Sequence, residues 1–137
     1  MQEQEIRNAL RSIKRLGRAH ALLQQNILKS YEDESEYGQV LLDGDKINIR
    51  CLGYDIWIRH RPVVRQGGAL SFEYEFLTKL WDEDHVFMRI YMNDLGVLFR
   101  DASHNDYFGN SDSGHLQEVV LSEVIVRLLQ SAVFAPS

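Results

Sequence analysis

The stretch Arg100–His115, RDASHNDYFGNSDSGH, is dense in side chains able to do chemistry. It carries two histidines, three aspartates, three serines and two asparagines around an adjacent tyrosine and phenylalanine. A loop that ends at a helix start can be capped by Asp112 or Ser113, and helix N-termini attract anions. His104 and His115 would add donors. His104, Tyr107, Ser113 and His115 are therefore the candidate ligand-binding residues, for a small polar or anionic ligand. The simpler reading is an exposed loop of about fourteen structureless residues that caps a helix and lays Tyr107 and Phe108 on the edge of the core. No defined motif lifts the pocket above it.

Metal chemistry finds no pattern. Asp101, His104, Asp106 and Asp112 are suitable ligand types, yet no zinc spacing occurs. The aspartate and glycine positions do not fit a calcium-binding EF-hand loop. The run Asp82–Asp84 beside His85 is too short to define a site. No metal and no cofactor is expected.

Catalysis fares similarly. Glu73 and Glu75 share one face of a strand, and paired carboxylates can hydrolyse glycosides. That reaction needs a cleft, and Arg59 and Arg89 nearby favour cross-strand ion pairs. Cys51 falls on an inward face with Ile47 and Ile49, where cysteines are usually inert. No nucleophile elbow, phosphate-binding loop or dinucleotide fingerprint occurs. No residue is assigned as catalytic, and an enzyme is the less favoured class.

The elements that would position these residues follow from periodicity. Ile6, Ala9, Leu10, Ile13, Leu16, His20, Leu23, Ile27 and Tyr31 recur at three- and four-residue steps, predicting one helix over residues 3–30. The acidic segment YEDESEYG ends it. Period-two alternation then predicts about six strands. Asp43-Gly44 and Leu52-Gly53 sit at hairpin turns, the second pairing Cys51 with Tyr54, Arg50 with Asp55 and Ile49 with Ile56. In ALSFEYEFL the residues Leu70, Phe72, Tyr74 and Phe76 face inward. In HVFMRIYM the inward set is Val86, Met88, Ile90 and Met92. VRQGGA reads as a loop at 65–68, and GVLFR as a last short strand after an Asn93-Asp94 turn. Residues 115–134 contain no glycine or proline and predict a buried helix, with Glu123, Arg127, Gln130 and Ser131 as its narrow polar stripe. The order helix, antiparallel strands, helix predicts a single α+β domain over 1–137, with a meander sheet carrying the final helix on one face.

The 137 residues suffice to bury a core, and the composition is that of an ordinary globular chain. No apolar run reaches the ~18 residues a membrane span needs, so no membrane partner is expected. One cysteine and an N-terminus without an apolar segment point to a cytoplasmic setting. The formal charge of −5 hides an asymmetry. Residues 1–30 hold six basic and two acidic residues, net +4, and residues 31–137 hold nine and eighteen, net −9. Arg7, Arg11, Lys14, Arg15 and Arg18 fall in one arc of the first helix. That basic face could take nucleic acid or an acidic protein surface. The acidic body repels nucleic acid, and Glu32, Asp33, Glu34, Glu36 and Asp82–Asp84 offer acidic surface in the chain itself.

The outward sheet face carries the leading expectation. Trp57, Phe87 and Tyr91 stand there among Arg59, Arg61, Glu73, Glu75 and Arg89. Interface cores are enriched in aromatics and arginine, so this set is the candidate interface of a homodimer. Three functions follow: a self-associating interaction protein, a small-molecule-binding or enzymatic domain with its pocket at 101–115, and a nucleic-acid-associated regulator using the basic helix.

Overall fold

A computed structural model of the chain describes residues 2–29, 38–65 and 68–134. Helix α1 (Glu3–Ile27) is followed by seven strands and helix α2 (Leu116–Leu129). The strands are β1 (Gln39–Asp43), β2 (Lys46–Cys51), β3 (Tyr54–Val64), β4 (Leu70–Leu80), β5 (Glu83–Met92), β6 (Val97–Phe99) and β7 (Tyr107–Asn110). They form one antiparallel sheet in chain order. The α+β meander is as the patterning predicts, with seven strands rather than about six.

The additional strand is β7, inside the stretch read as structureless. Its signal is short because only Phe108 of the four residues is buried. The Leu52-Gly53 hairpin has the predicted register, Cys51 opposite Tyr54 and Ile49 opposite Ile56. The first turn is centred on Gly44-Asp45, one residue later than expected, since Asp43 pairs with Lys46. Glycine there takes a φ of +64°, which suits the first central position of a tight hairpin.

The core lies between the helices and the inner face of the sheet. Ile47, Ile49, Cys51, Ile56, Phe72, Tyr74, Phe76, Met88, Ile90 and Met92 face Leu16, Leu23 and Ile27 of α1 and Leu116, Val120, Leu121, Val124 and Leu128 of α2. Strand β4, at the middle of the sheet, is buried on both faces, so Ser71, Glu73, Leu77 and Thr78 are buried too. A bulge between Phe76 and Leu77 shifts its register against β5.

Both helices are rotated from their expected orientation. The buried stripe of α1 is Ser12, Leu16, Ala19, Leu23, Asn26 and Ile27, whereas Ile6, Leu10 and Ile13 are exposed. Polar residues win the inward positions because partners await them. The Ser12 hydroxyl accepts from the Leu70 N–H at 3.0 Å and donates to the Asp94 carboxylate at 2.9 Å. The Asn26 amide donates to the Ser111 carbonyl at 2.8 Å. The helix ends at Ile27 rather than at residue 30, and Tyr31 of the expected stripe lies outside the described residues, as do Glu32, Asp33, Glu34 and Glu36. α2 stops at Leu129 rather than 134, and its outer face is apolar, with Val119, Val126 and Leu129 exposed. Glu123 and Arg127 of the expected polar stripe instead pair with each other at 3.1 Å.

Gly68 ties the β3–β4 connection to α1. A Cβ there would come within 2.5 Å of the Glu5 carbonyl oxygen, and its φ of +86° suits glycine. Gln66 and Gly67 of the expected loop lie outside the described residues.

Candidate functional site

Three surfaces carry unusual side chains, and only parts of them coincide with the expected sites. The first lies under α1. His60 continues the inward alternation of Ile56 and Ile58 on β3 and stands opposite Tyr74 of β4. α1 lowers His20 onto this pair. The two imidazoles stack with ring centroids 4.2 Å apart, and His20 Nδ1 lies 2.7 Å from the Tyr74 hydroxyl. Phe72 closes the cluster edge-on to His20 at 5.6 Å. Burial, then the neighbouring His60, lowers the His20 pKa from 6.5 to about 4. Burial also lowers that of His60 and raises that of the Tyr74 hydroxyl. A cavity of about 160 Å³ opens beside these rings, walled also by Leu23, Ile47 and Ile58. The rings and the apolar residues form one side of the cavity, and Gln24, Asp45 and Lys46 line its polar side. Sequence reasoning noted His20 and passed over His60; carrying the β3 alternation two residues past Ile58 would have found it.

The second surface is the outward face. Glu75 accepts from Arg59 at 2.8 Å and from Arg89 at 3.2 Å, and Glu73 accepts from Arg61 at 3.0 Å. The expected cross-strand pairs are therefore present. The Arg59 hydrogen bond is the main cause of a lowered Glu75 pKa, so the carboxylate is no candidate general acid near neutral pH. Trp57 and Tyr91 are half-buried there, whereas Phe87, expected on this face, is the bulged residue of β5 and packs against the core. Trp57 stands opposite Leu77, with the Lys79 ammonium 5.8 Å from its ring.

The region 100–115 is organised by Arg100. Its guanidinium donates to Glu123 of α2 at 3.0 Å, to Asp106 at 3.0 Å and to the Tyr107 carbonyl at 2.8 Å. Asp101 holds the turn by accepting from the Asn105 and Asp106 N–H groups at 3.0 and 2.8 Å. Of the candidate ligand residues, His104 precedes β7, Tyr107 lies in it, and Ser113 and His115 follow it. His104 stacks on Phe99 at 4.6 Å, with both ring nitrogens closed off from solvent. Tyr107 is exposed and accepts from the Asn110 amide at 2.8 Å. Neither Asp112 nor Ser113 caps α2: His115 occupies that position without a side-chain cap, and Ser113 Oγ accepts from the His115 N–H at 3.2 Å.

The third surface was not anticipated. The β4–β5 hairpin turns through Trp81 and Asp82, with φ of +54° and +62°. Such a turn favours Asn-Gly, and a tryptophan in the left-handed region is strained. Trp81 is also 87% exposed, and Asp82, Glu83 and Asp84 follow it. Leu52 tops the β2–β3 hairpin with a φ of +54° and is exposed as well. The meander places both tips at one end of the sheet, about 10 Å apart by strand spacing. At the other end, the N-terminal half of α1 exposes Ile6, Leu10 and Ile13 beside its basic arc. Among the described residues Arg7 pairs with Glu3 and Arg15 with Asp94, whereas Arg11, Lys14 and Arg18 make no ion pair.

Among the described residues no group of three or more histidine, cysteine, aspartate or glutamate side chains is set to hold a metal ion. No described helix is long and apolar enough to cross a membrane. Comparisons settle no family. No family model, curated protein or solved structure matches the chain.

Proposed function

We propose that the protein is a self-associating interaction module. The observation that carries this is Trp81, a large exposed aromatic on a hairpin tip whose φ > 0 requirement Asn or Gly would meet without strain. Residues held against their conformational preference concentrate at functional sites, and tryptophan is enriched among side chains that dominate binding energy. The exposed Ile6, Leu10 and Ile13 of α1 give the same molecule a second apolar surface.

The outward sheet face was the expected contact for a homodimer through Trp57, Arg59, Glu73, Glu75, Phe87, Arg89 and Tyr91. Its glutamates are already paired with arginines of the same chain, so a second copy would have to displace those pairs or leave them at the rim. At the hairpin tip and the α1 flank, Asp82, Glu83, Arg11, Lys14 and Arg18 make no ion pair among the described residues, so the cost there is smaller. Nucleic acid is the weaker partner for Arg7, Arg11, Lys14, Arg15 and Arg18, because the remainder of the chain is strongly acidic.

Light scattering after size exclusion tests the reading. Self-association appears as a mass that rises with protein concentration. A monomer mass at several hundred micromolar overturns it. Trp57→Glu with Phe87→Glu assigns the surface, since loss of association in a folded variant returns the contact to the sheet face.

The pocket beside His20, His60 and Tyr74 supports a second reading, a site for a small ligand. Its apolar walls of Leu23, Ile47 and Ile58 and a polar rim of Gln24, Asp45, Lys46 and the exposed His60 fit that use. Its volume of about 160 Å³ is below the ~300 Å³ at which pockets for drug-sized ligands begin, so only a ligand of a few atoms fits. Titration of imidazole or a small phenol into the protein, followed by the His20 and His60 ring NMR signals, tests it; unshifted signals at millimolar ligand exclude it.

A further inference from the structure

Resting on self-association, we infer that the contact is heterologous: the acidic Trp81 hairpin tip of one copy seats on the apolar, basic flank of α1 in a second copy. The two surfaces complement each other in shape and charge. The tip offers one large aromatic followed by Asp82, Glu83 and Asp84, of which Asp84 is held by Lys79 at 2.6 Å and the other two make no ion pair among the described residues. The flank offers Leu10 at 60% exposure between Ile6 and Ile13, and Arg11, Lys14 and Arg18 have no carboxylate partner among the described residues. Each surface has what the other lacks, and each would repel a copy of itself.

Gly17 marks the seat. Ile6, Leu10, Ile13 and Gly17 follow one another at steps of four, three and four, so they form one seam along α1. Glycine weakens a helix interior, and here the fold does not require it, since a Cβ would meet nothing within 4 Å. The missing side chain leaves a notch in the seam, level with the apolar residues, where the edge of an indole ring can enter.

The placement of the two surfaces sets the form of the assembly. α1 touches the start of β4, where Ser12 meets Leu70, and Trp81 follows its end at Leu80. Eleven strand residues separate the two, on the order of 35 Å. A tip at one end and a seat at the other add copies head to tail, which gives open chains unless a ring closes.

Mixing two variants tests this directly. Trp81→Ser with Asp82→Lys removes the tip and keeps the seat. Leu10→Glu with Ile13→Glu removes the seat and keeps the tip. All four positions are exposed. Each variant alone should run as a monomer, and an equimolar mixture should give a 1:1 dimer that grows no further. Wild-type assemblies should shrink as salt is raised from 50 to 500 mM. If wild-type protein associates but the mixture stays monomeric, or either variant alone keeps the wild-type mass, the heterologous contact is wrong while self-association stands. If wild-type protein is monomeric throughout, both fall. Should the double-glutamate variant lose its circular dichroism, Arg11→Glu with Lys14→Glu replaces it with the same expected outcomes.

Discussion

His20 Nδ1 lies 2.7 Å from the Tyr74 hydroxyl while its ring stacks on His60. Either Tyr74 donates to an unprotonated Nδ1 or Nδ1–H donates to the Tyr74 oxygen, so the proton balance of His20 is set by its burial and by His60. Burial and the His60 neighbour lower the His20 pKa to about 4, against 6.5 in the unfolded chain. Between these values the unfolded state holds more protons than the folded one. Stability is therefore flat above about pH 7, falls as pH drops from 6.5 toward 4, and stops responding to this residue below that. His20→Gln should make the melting temperature less dependent on pH across 4.5–7. An unchanged slope in that variant would refute the account.

The final helix is the centre of the core. Val124 and Leu128 are fully buried in the core cluster. Val124→Asp puts an unpaired charge there and should cost ~3 kcal/mol or more. Val126→Asp, one helical face away and exposed, should cost less than ~0.5 kcal/mol. Urea denaturation of both variants checks the contrast, and equal midpoints would mean that the helix is packed differently.

Glu75 serves two arginines at once, Arg59 and Arg89. Glu75→Gln removes both pairs and leaves two guanidinium groups facing each other across β4. The expected loss is about 1 kcal/mol, larger than that of Arg59→Gln or Arg89→Gln alone. A double-mutant cycle of Arg59 with Glu75 measures the coupling, which should shrink in 1 M salt.

Trp81-Asp82 is strained where Asn-Gly is relaxed. Replacing the pair by Asn-Gly should raise stability by about 1 kcal/mol, because the new turn meets the φ > 0 requirement without penalty. Gly17→Ala should add a further ~1 kcal/mol through helix propensity. Both changes should also weaken self-association, a loss of function paired with a gain in melting temperature. If melting temperature does not rise, the strain at Trp81 or the open space at Gly17 has been misjudged.

Arg100 fastens the 101–106 turn to α2. In amide hydrogen exchange, Tyr107–Asn110 should be protected by pairing with β6, and Ser103 and Asn105 should exchange faster. Arg100→Gln should speed exchange across Asp101–Asp106 without lowering protection in β4. Uniform exchange from Ser103 to Asn110 would mean that β7 is not formed in solution.

Much of this protein was legible from its residues in order. Short-range chemistry fixes the Leu52-Gly53 hairpin and its register, because the turn type and the alternation beside it agree. The inward face of β4, and that of β5 from Met88 on, follow from periodicity in the same way, whereas the bulge at Phe87 breaks the alternation before it. Only tertiary structure decided the rotation of α1. Its apolar residues cover more of the circumference than one packed face can use, and the choice fell to Ser12 and Asn26, whose partners Leu70, Asp94 and Ser111 are 58, 82 and 85 residues away. The same long-range choice exposed Ile6, Leu10 and Ile13 and set His20 on His60. β7 escaped detection because a four-residue strand with one buried side chain has no period to read. Trp81 stood in plain view as a tryptophan before an acidic run. Its exposure and its backbone angle depend on where the β4–β5 turn falls, which the bulge at Phe76/Leu77 shifts by a residue.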